Sequence, residues 1–292
     1  MSLFAGLDEI CRPDVPLCEH TRFGLGGPAR WFLQPSDEEQ LRRIVHRCCE
    51  AEVPMRVLGG GANLLVRDEG FDGAVIKLGG AAYGAVRFDG ERVWAGAAAP
   101  MSRLVRQSVR RGLSGLECLA GIPGTVGGGI KTNAGGRFGQ IGTSVQRVRV
   151  MEPTGQIYEQ RQEELVFGYR SSNIAERFIL GAELGLVEAS PAEVLQRFRE
   201  IWIFKRNSQP LMQRNAGCIF KNPPGVAAGA LIDQAGLKGR RIGGALVSRR
   251  HANFIIVEPG GKAGDVLELI ELIRERVYAR FGIELELEIE IW

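Results

Sequence analysis

Two side chains in this 292-residue chain stand in settings that suit a chemical reaction. Cys218 lies in the run RNAGCIFKNP, whose other residues favour tight turns and hydrogen bonding. Arg170 follows Tyr169 in FGYRSSN, where a planar guanidinium could grip a carboxylate beside an orienting hydroxyl. A thiol can equally be a buried spacer, and an arginine beside a tyrosine is usually a surface pair. The residue types alone leave both interpretations open.

A third candidate is a glutamate in the C-terminal tail IELELEIEIW. The tail alternates apolar and acidic residues, which predicts a strand with one apolar face. The acidic face carries Glu284, Glu286, Glu288 and Glu290. Alternation cannot decide which of these carboxylates has a chemical role.

The chain has forty glycines, roughly twice the ~7% of average usage, and they are clustered, with two of the clusters in loops. VLGGGANLLV places three glycines between apolar strands, where missing Cβ atoms let several N–H groups point at one anion. The second loop is GIPGTVGGGIKTNAG. Neither is a GxGxxG turn opening a helix or a Walker loop, so the pair predicts a large phosphate-containing cofactor bound in a non-Rossmann manner. The alternative for either loop alone is a tight turn with close packing.

The residues predicted to bind this cofactor are Gly59, Gly60, Gly61, Ala62, Asn63, Leu64, Gly124, Thr125, Gly127, Gly128 and Asn133.

Hydrophobic periodicity predicts a mixed α+β framework for these loops. A helix is predicted over residues 36–52 with Ser36 as its N-cap, and short strands alternate with turns over residues 145–188. A helix beginning near Pro191 and a long helix over residues 263–282 follow.

Composition limits the function classes. The formal charge of +3 is too small to indicate a nucleic-acid or membrane partner, and no obligate protein partner is inferred. The N-terminal stretch does not resemble a signal peptide, and no apolar run is long enough to span a membrane, so we expect a cytoplasmic protein. Six cysteines without a C-x-x-C and three scattered histidines predict no metal site.

Six motifs occur in order along the chain: HTRFGLGGPA, VLGGGANLLV, GLSGLECLAGIPGTVGGGI, FGYRSSN, NAGCIFKNP and VSRRHANFI. Together they resemble the UDP-N-acetylenolpyruvoylglucosamine reductase (MurB) family in its compact type II form, and the likeness runs from about residue 17 to the C-terminus. The resemblance implies an α+β fold. A two-lobed FAD-binding domain of the vanillyl-alcohol-oxidase (PCMH) type, with lobes at residues 1–78 and 79–190, precedes a C-terminal α+β substrate-binding domain at residues 191–292. The resemblance also leaves open that the C-terminal strand of this domain packs back on the first lobe.

The resemblance also implies the activity of a UDP-N-acetylmuramate dehydrogenase. NADPH, as co-substrate, reduces bound FAD, and hydride passes to the enolpyruvyl group of UDP-N-acetylglucosamine enolpyruvate, giving UDP-N-acetylmuramate for peptidoglycan synthesis. That reaction needs donors for a developing enolate, a proton donor and exclusion of water. Two alternatives stay open: an FAD-dependent oxidase of the same superfamily, and a catalytically silent nucleotide-sugar binding protein.

Three catalytic residues follow from the resemblance. Arg170 matches the family's arginine, and Glu288 matches its C-terminal glutamate, although a shift of one register would select another carboxylate. Cys218 stands where the family commonly has a proton-donating serine. A free thiol has a reference pKa of ~8.5 and releases a proton more readily than a hydroxyl, so a cysteine can replace that serine.

The resemblance assigns substrate binding to Tyr169, Lys221 and Asn222, with Lys221 facing a phosphate. For the residues 248–251, SRRH, a solvated turn and a contribution to the site both remain open.

Overall fold

The computed structural model describes residues 3–174 and 178–292. The chain forms two compact units. The first unit comprises Met1–Pro13, Arg30–Gly60 and Gly73–Phe204, and the second comprises Asp14–Ala29, Gly61–Asp72 and Lys205–Trp292. The three-part division inferred from the sequence stays a prediction.

The helices are α1 Glu38–Glu50, α2 Gly80–Gly84, α3 Met101–Arg110, α4 Val126–Lys131, α5 Pro191–Ser208, α6 Ala228–Gln234 and α7 Ala263–Phe281. The strands are β1 Cys11–Pro16, β2 Pro28–Leu33, β3 Met55–Val57, β4 Leu64–Leu65, β5 Phe71–Ile76, β6 Val86–Asp89, β7 Arg92–Gly96, β8 Leu113–Ser114, β9 Gly135–Gly136, β10 Gly139–Gln140, β11 Val145–Met151, β12 Ile157–Arg161, β13 Phe167–Gly168, β14 Ser171–Ser172, β15 Phe178–Gly185, β16 Val187–Glu188, β17 Arg241–Ile242, β18 Ala245–Val247, β19 Ile255–Val257 and β20 Glu290–Ile291. This content confirms the predicted α+β class.

The main sheet of the first unit has the strand order β12-β11-β15-β7-β6, and its neighbours are antiparallel. A second sheet has the order β1-β2-β5-β3, with β3 parallel to β5. Helix α1 buries Leu41, Ile44, Val45 and Cys48, which is the amphipathic pattern that predicted it.

The start of α1 differs from the prediction. Asp37 is the N-cap, because its carboxylate accepts the Gln40 N–H at 2.8 Å. The Ser36 hydroxyl instead bonds to the Gln40 side chain. Both residue types favour the cap position, so the sequence alone could not separate two adjacent candidates.

The core of the second unit lies around the antiparallel sheet β17-β18-β19 and the helices α6 and α7. Helix α7 begins where Asp68 accepts the N–H groups of Ala263 and Gly264, both at 3.0 Å. Its apolar stripe is buried as predicted at Val266 and Ile273. Because a carboxylate satisfies two otherwise unpaired helix donors, Asp68 stabilises the start of α7.

The C-terminal tail is not the continuous strand that alternation predicted. Only β20 forms a ladder, parallel to β4, whereas Leu285 and Ile289 are buried outside any regular strand. The segment between them makes an isolated antiparallel bridge, Phe220 to Leu287. The tail therefore changes its pairing partner part-way, which a two-residue period cannot reveal.

Candidate functional site

The two glycine loops meet in the first unit. A Cβ on Gly60 would lie 2.7 Å from the Gly124 Cα, and a Cβ on Gly59 would lie 2.8 Å from the Thr125 Oγ1. Within residues 3–174 and 178–292, the N–H groups of Gly60, Gly124 and Thr125 donate to no protein acceptor. Bare backbone donors at a closely packed glycine pair suit the phosphates of a dinucleotide, so these residues fit a bound FAD.

Other predicted cofactor residues have packing roles. Gly61, with φ +57°, leaves room for the His20 carbonyl oxygen, which a Cβ would approach to 2.1 Å. Gly127 lies against Ala97 and donates its N–H to the Ala97 carbonyl at 2.9 Å. Leu64 is buried in β4. Their role in binding the cofactor stays a prediction, as do those of Ala62, which is partly exposed, and Gly128, which is exposed.

We expect Gly60→Ala to weaken FAD binding by about tenfold or more, which is ~1.4 kcal/mol. The new methyl group would meet the Gly124 backbone at 2.7 Å, so one loop must move. The measurement is the dissociation constant of FAD, from quenching of flavin fluorescence. Gly136→Ala is the matched control, since a Cβ there meets nothing within 4 Å. Equal affinities in the two variants would contradict the loop assignment.

Asn133, predicted to bind the cofactor, is fully buried and has φ +45°. Its Nδ2 donates to the Gly168 carbonyl at 2.8 Å, and its Oδ1 accepts the Gly142 N–H at 3.1 Å. The side chain therefore ties the loop after α4 to the hairpin β13–β14. Any contact of Asn133 with a cofactor stays a prediction.

Arg170 lies at the turn of this hairpin, where Gly168 pairs with Ser171. Its φ is +56°, a left-handed conformation that costs energy for a residue other than glycine. The guanidinium carbon lies 5.3 Å from the centre of the Tyr169 ring, and Tyr169 is 52% exposed. The turn thus presents a cation and a phenol together, and their role in the reaction stays a prediction.

Cys218 is partly exposed and lies just after a tight turn in the second unit. Gly217 has φ +82°, and its N–H donates to Asn215 Oδ1 at 3.0 Å. Asn215 is 4% exposed, and its Nδ2 donates to the carbonyls of Pro210 and Gln213 at 3.0 and 2.7 Å. Sequence reasoning missed Asn215, whose single signal was its place inside the quoted motif.

Glu288 lies beside the Cys218 segment. The Glu288 N–H donates to the Ile219 carbonyl at 2.8 Å, and the Glu288 carbonyl accepts Asn63 Nδ2 at 3.0 Å. The second unit therefore brings two of the three predicted catalytic residues onto adjacent segments. Arg170 belongs to the first unit. Asn63, predicted to bind the cofactor, supports the backbone of Glu288.

The neighbouring glutamates differ from Glu288 in their settings. Glu286 forms an ion pair with Lys221. Glu290 accepts the Trp292 indole N–H at 3.3 Å, and Glu284 is exposed. Glu288 is partly exposed and directly bonded to the segment that carries the thiol. The choice of Glu288 among the four carboxylates stays a prediction.

Asn222, predicted to bind substrate, accepts the Ala228 N–H at the start of α6 through its Oδ1 at 3.0 Å. Asn222 is exposed and stabilises the start of α6, and its role in binding substrate stays a prediction.

The SRRH turn is a structured element of the second unit. Ser248 is 1% exposed, and its Oγ accepts the N–H groups of Arg250 and His251 at 3.2 and 3.3 Å. Burial, with Lys238 contributing, lowers the pKa of His251, whose Nδ1 accepts the Asn253 N–H at 3.3 Å. Buried polar groups therefore hold the turn in place. Only Arg249 and Arg250 are exposed to solvent, as the interpretation of a solvated turn predicts.

We expect the protein to lose stability as the pH falls below the ordinary histidine value of ~6.5, in part through His251. The unfolded chain then binds a proton that folded His251, with its lowered pKa, resists. His251→Asn removes this titration and keeps an acceptor two residues before Asn253. The check is the urea midpoint of both proteins at several pH values. An identical pH dependence would show that His251 does not contribute.

Among residues 3–174 and 178–292, no three His, Cys, Asp or Glu side chains are grouped to hold a metal ion. No helix in the same ranges combines the length and apolar character needed to cross a bilayer.

The α+β fold and the paired glycine loops define the class: an FAD-binding protein of the two-lobed vanillyl-alcohol-oxidase (PCMH) type with a C-terminal α+β domain. A model of the FAD binding domain family matches residues 29–160. A model of the UDP-N-acetylenolpyruvoylglucosamine reductase C-terminal domain matches residues 209–292. The chain belongs to the UDP-N-acetylenolpyruvoylglucosamine reductase family.

Relatives of that name cover nearly the whole chain. The protein of Heliobacterium modesticaldum is 43% identical over 279 residues, which are 94% of this chain and 88% of the relative. That of Chloroherpeton thalassium is 41% identical over 304 residues, covering 100% of this chain and 97% of the relative. The crystal structure of the Thermus caldophilus reductase (MurB) superposes with a TM-score of 0.84 at 40% identity, covering 97% of this chain and 99% of the other. These relatives agree with the reductase and not with the oxidase or the silent binding protein.

Proposed function

We propose that this chain is a UDP-N-acetylmuramate dehydrogenase that reduces UDP-N-acetylglucosamine enolpyruvate to UDP-N-acetylmuramate with NADPH, for peptidoglycan synthesis in the cytoplasm. The observation that carries the proposal is the similarity to reductases over the full chain, at 40% identity and TM-score 0.84 for a solved relative. Bound FAD supplies the hydride relay between NADPH and substrate.

The first unit contributes cofactor and carboxylate binding to this proposal. Gly60, Gly124 and Thr125 hold the phosphates through their main-chain N–H groups. Arg170 neutralises the carboxylate on which charge develops during reduction, and Tyr169 orients it. The left-handed backbone at Arg170 supports the assignment, because a strained conformation persists where the surroundings or the function require it.

The second unit contributes the proton. Hydride goes to the terminal methylene carbon of the enolpyruvyl group, and the Cys218 Sγ–H supplies a proton to the carbon bearing the ether oxygen and the carboxylate. The thiolate that remains recovers a proton from solvent, which the partial exposure of Cys218 allows. Glu288 stabilises the enol, while Lys221 and Asn222 bind the nucleotide-sugar.

Stopped-flow absorbance of the purified FAD-loaded protein tests the activity. NADPH is expected to bleach the flavin without oxygen, and UDP-N-acetylglucosamine enolpyruvate is expected to restore its colour. Fast recovery on air, without recovery on the substrate, would identify an oxidase. No bleaching by NADPH would identify a silent binding protein. Either result overturns the proposal.

A further inference from the structure

Asn253 is a buried polar residue, 2% exposed, in the turn between β18 and β19. Three of its polar groups bond to the two residues that follow Cys218. Its carbonyl accepts the Ile219 N–H at 2.9 Å, its Oδ1 accepts the Phe220 N–H at 3.0 Å, and its Nδ2 donates to the Phe220 carbonyl at 2.7 Å. Asn253 thus makes the hydrogen bonds to the backbone of this segment that a neighbouring strand would otherwise make.

The opposite edge of this segment bonds to the C-terminal tail. The Glu288 N–H donates to the Ile219 carbonyl, and the Lys221 N–H donates to the Glu286 carbonyl, both at 2.8 Å. The segment 219–221 therefore lies between Asn253 and the tail. Displacing it moves Cys218 directly and removes a hydrogen-bond acceptor of Glu288.

The amide side chain suits this position. Both main-chain polar groups of Phe220 need a partner, since Phe220 is 0% exposed and no water can replace a lost bond. An asparagine side chain offers one acceptor and one donor at the spacing of a peptide group. Alanine offers neither, and an ionised aspartate offers only acceptors.

We propose that Asn253 is a positioning residue that holds Cys218, and through Ile219 also Glu288, in place for the proton transfer. This inference rests on the proposed function. It adds a residue that does not touch the reacting atoms and acts through the backbone of the Cys218 segment.

The first test is Asn253→Ala in the FAD-loaded protein. Bleaching by NADPH is expected to be unchanged, whereas reoxidation by the enolpyruvyl substrate is expected to slow by about 10²-fold, as a misplacement near 1 Å can cause. Alkylation of Cys218 by N-ethylmaleimide, followed by peptide mass mapping, is expected to be faster. Unlabelled Cys48 and Cys118, both buried in the first unit, show that this unit is intact, and a wild-type urea midpoint for the second unit shows the same there.

The second test is Asn253→Asp, which has almost the same shape. Its carboxylate can accept from Phe220 but cannot donate, and protonation restores the donor. Burial raises the pKa of such a carboxyl, so reoxidation is expected to recover as the pH is lowered from about 8 to about 5.5. Other ionisable groups on the bonded segments are His251, Cys218, Lys221, Glu286 and Glu288. Asn253→Ala shares them and is expected to show no such recovery.

Asp68→Ala is the matched control for lost stability, because it removes the cap of α7 in the same unit without touching the Cys218 segment. It is expected to leave both half-reactions and the alkylation of Cys218 unchanged. An Asn253→Ala protein with wild-type reoxidation and alkylation overturns the positioning role, as does an Asn253→Asp protein without pH recovery. If the enolpyruvyl substrate does not reoxidise the wild-type protein, the proposed function is contradicted. The effect of Asn253 on the position of Cys218 is then still tested by the rate of Cys218 alkylation.

Discussion

Replacing Cys218 by alanine is expected to leave reduction of the flavin by NADPH intact and to slow its reoxidation by the enolpyruvyl substrate by about 10²–10⁴-fold, the usual contribution of a general acid. The methyl group occupies the space of the thiol without its proton. Stopped-flow absorbance measures the two half-reactions separately. The separation matters because a folding defect would impair both, whereas loss of the proton donor impairs one.

Cys49→Ala is the matched control for removing a thiol. Cys49 is exposed on α1 in the first unit, whereas Cys218 lies in the second, and the Cys49 Sγ lies 3.6 Å from the Pro153 carbonyl oxygen of its own unit. Both half-reactions are expected to be those of the wild type. An unchanged rate of reoxidation in Cys218→Ala would contradict the assignment of Cys218 as the acid.

Cys218→Ser distinguishes a proton donor from a spacer. A hydroxyl does not titrate near the ~8.5 of a free thiol, so the alkaline limb of kcat/KM is expected to move to higher pH while turnover is retained. A thiol that merely fills space would give the same limb in both proteins. The comparison therefore tests the sulfur itself.

The elements that the sequence could predict are those whose cause is local. The apolar stripe of α7 and the amphipathic face of α1 follow from hydrophobic periodicity. The glycine loops follow from positions such as Gly60, where an added Cβ would clash with the facing backbone. Cys218, Arg170 and Glu288 are predicted to be catalytic through motifs and not through the residues alone, and their roles stay predictions.

The supports of the site escaped sequence reasoning because their partners are distant along the chain. Asn253 bonds to Phe220, 33 positions away, and Asn63 bonds to Glu288, 225 positions away. Asn133, interpreted from the sequence as a cofactor ligand, is buried against the hairpin of Arg170. An asparagine has the same local signature whether it faces a ligand or a buried peptide group, so only long-range geometry separates the two.

Replacing Arg170 by asparagine is expected to lower activity strongly and to stabilise the fold. Arg170 has φ +56°, where a residue other than glycine or asparagine is strained by about 1–2 kcal/mol. Asparagine tolerates this conformation, so the free energy of unfolding is expected to rise by about 0.5–1 kcal/mol after the loss of the guanidinium contacts. Reoxidation is expected to slow by about 10²–10³-fold, as when a donor to a developing anion is removed.

Arg170→Met separates the strain from the charge. Methionine removes the cation, as asparagine does, but keeps the backbone penalty, so both variants are expected to lose activity while only Arg170→Asn gains stability. Urea unfolding at saturating FAD gives the free energies, and stopped-flow absorbance gives the rates. Equal stability in the two variants would show that the turn holds Arg170 without strain. A stability gained together with lost activity would mean that the hairpin retains an unfavourable backbone because the reaction needs an arginine there.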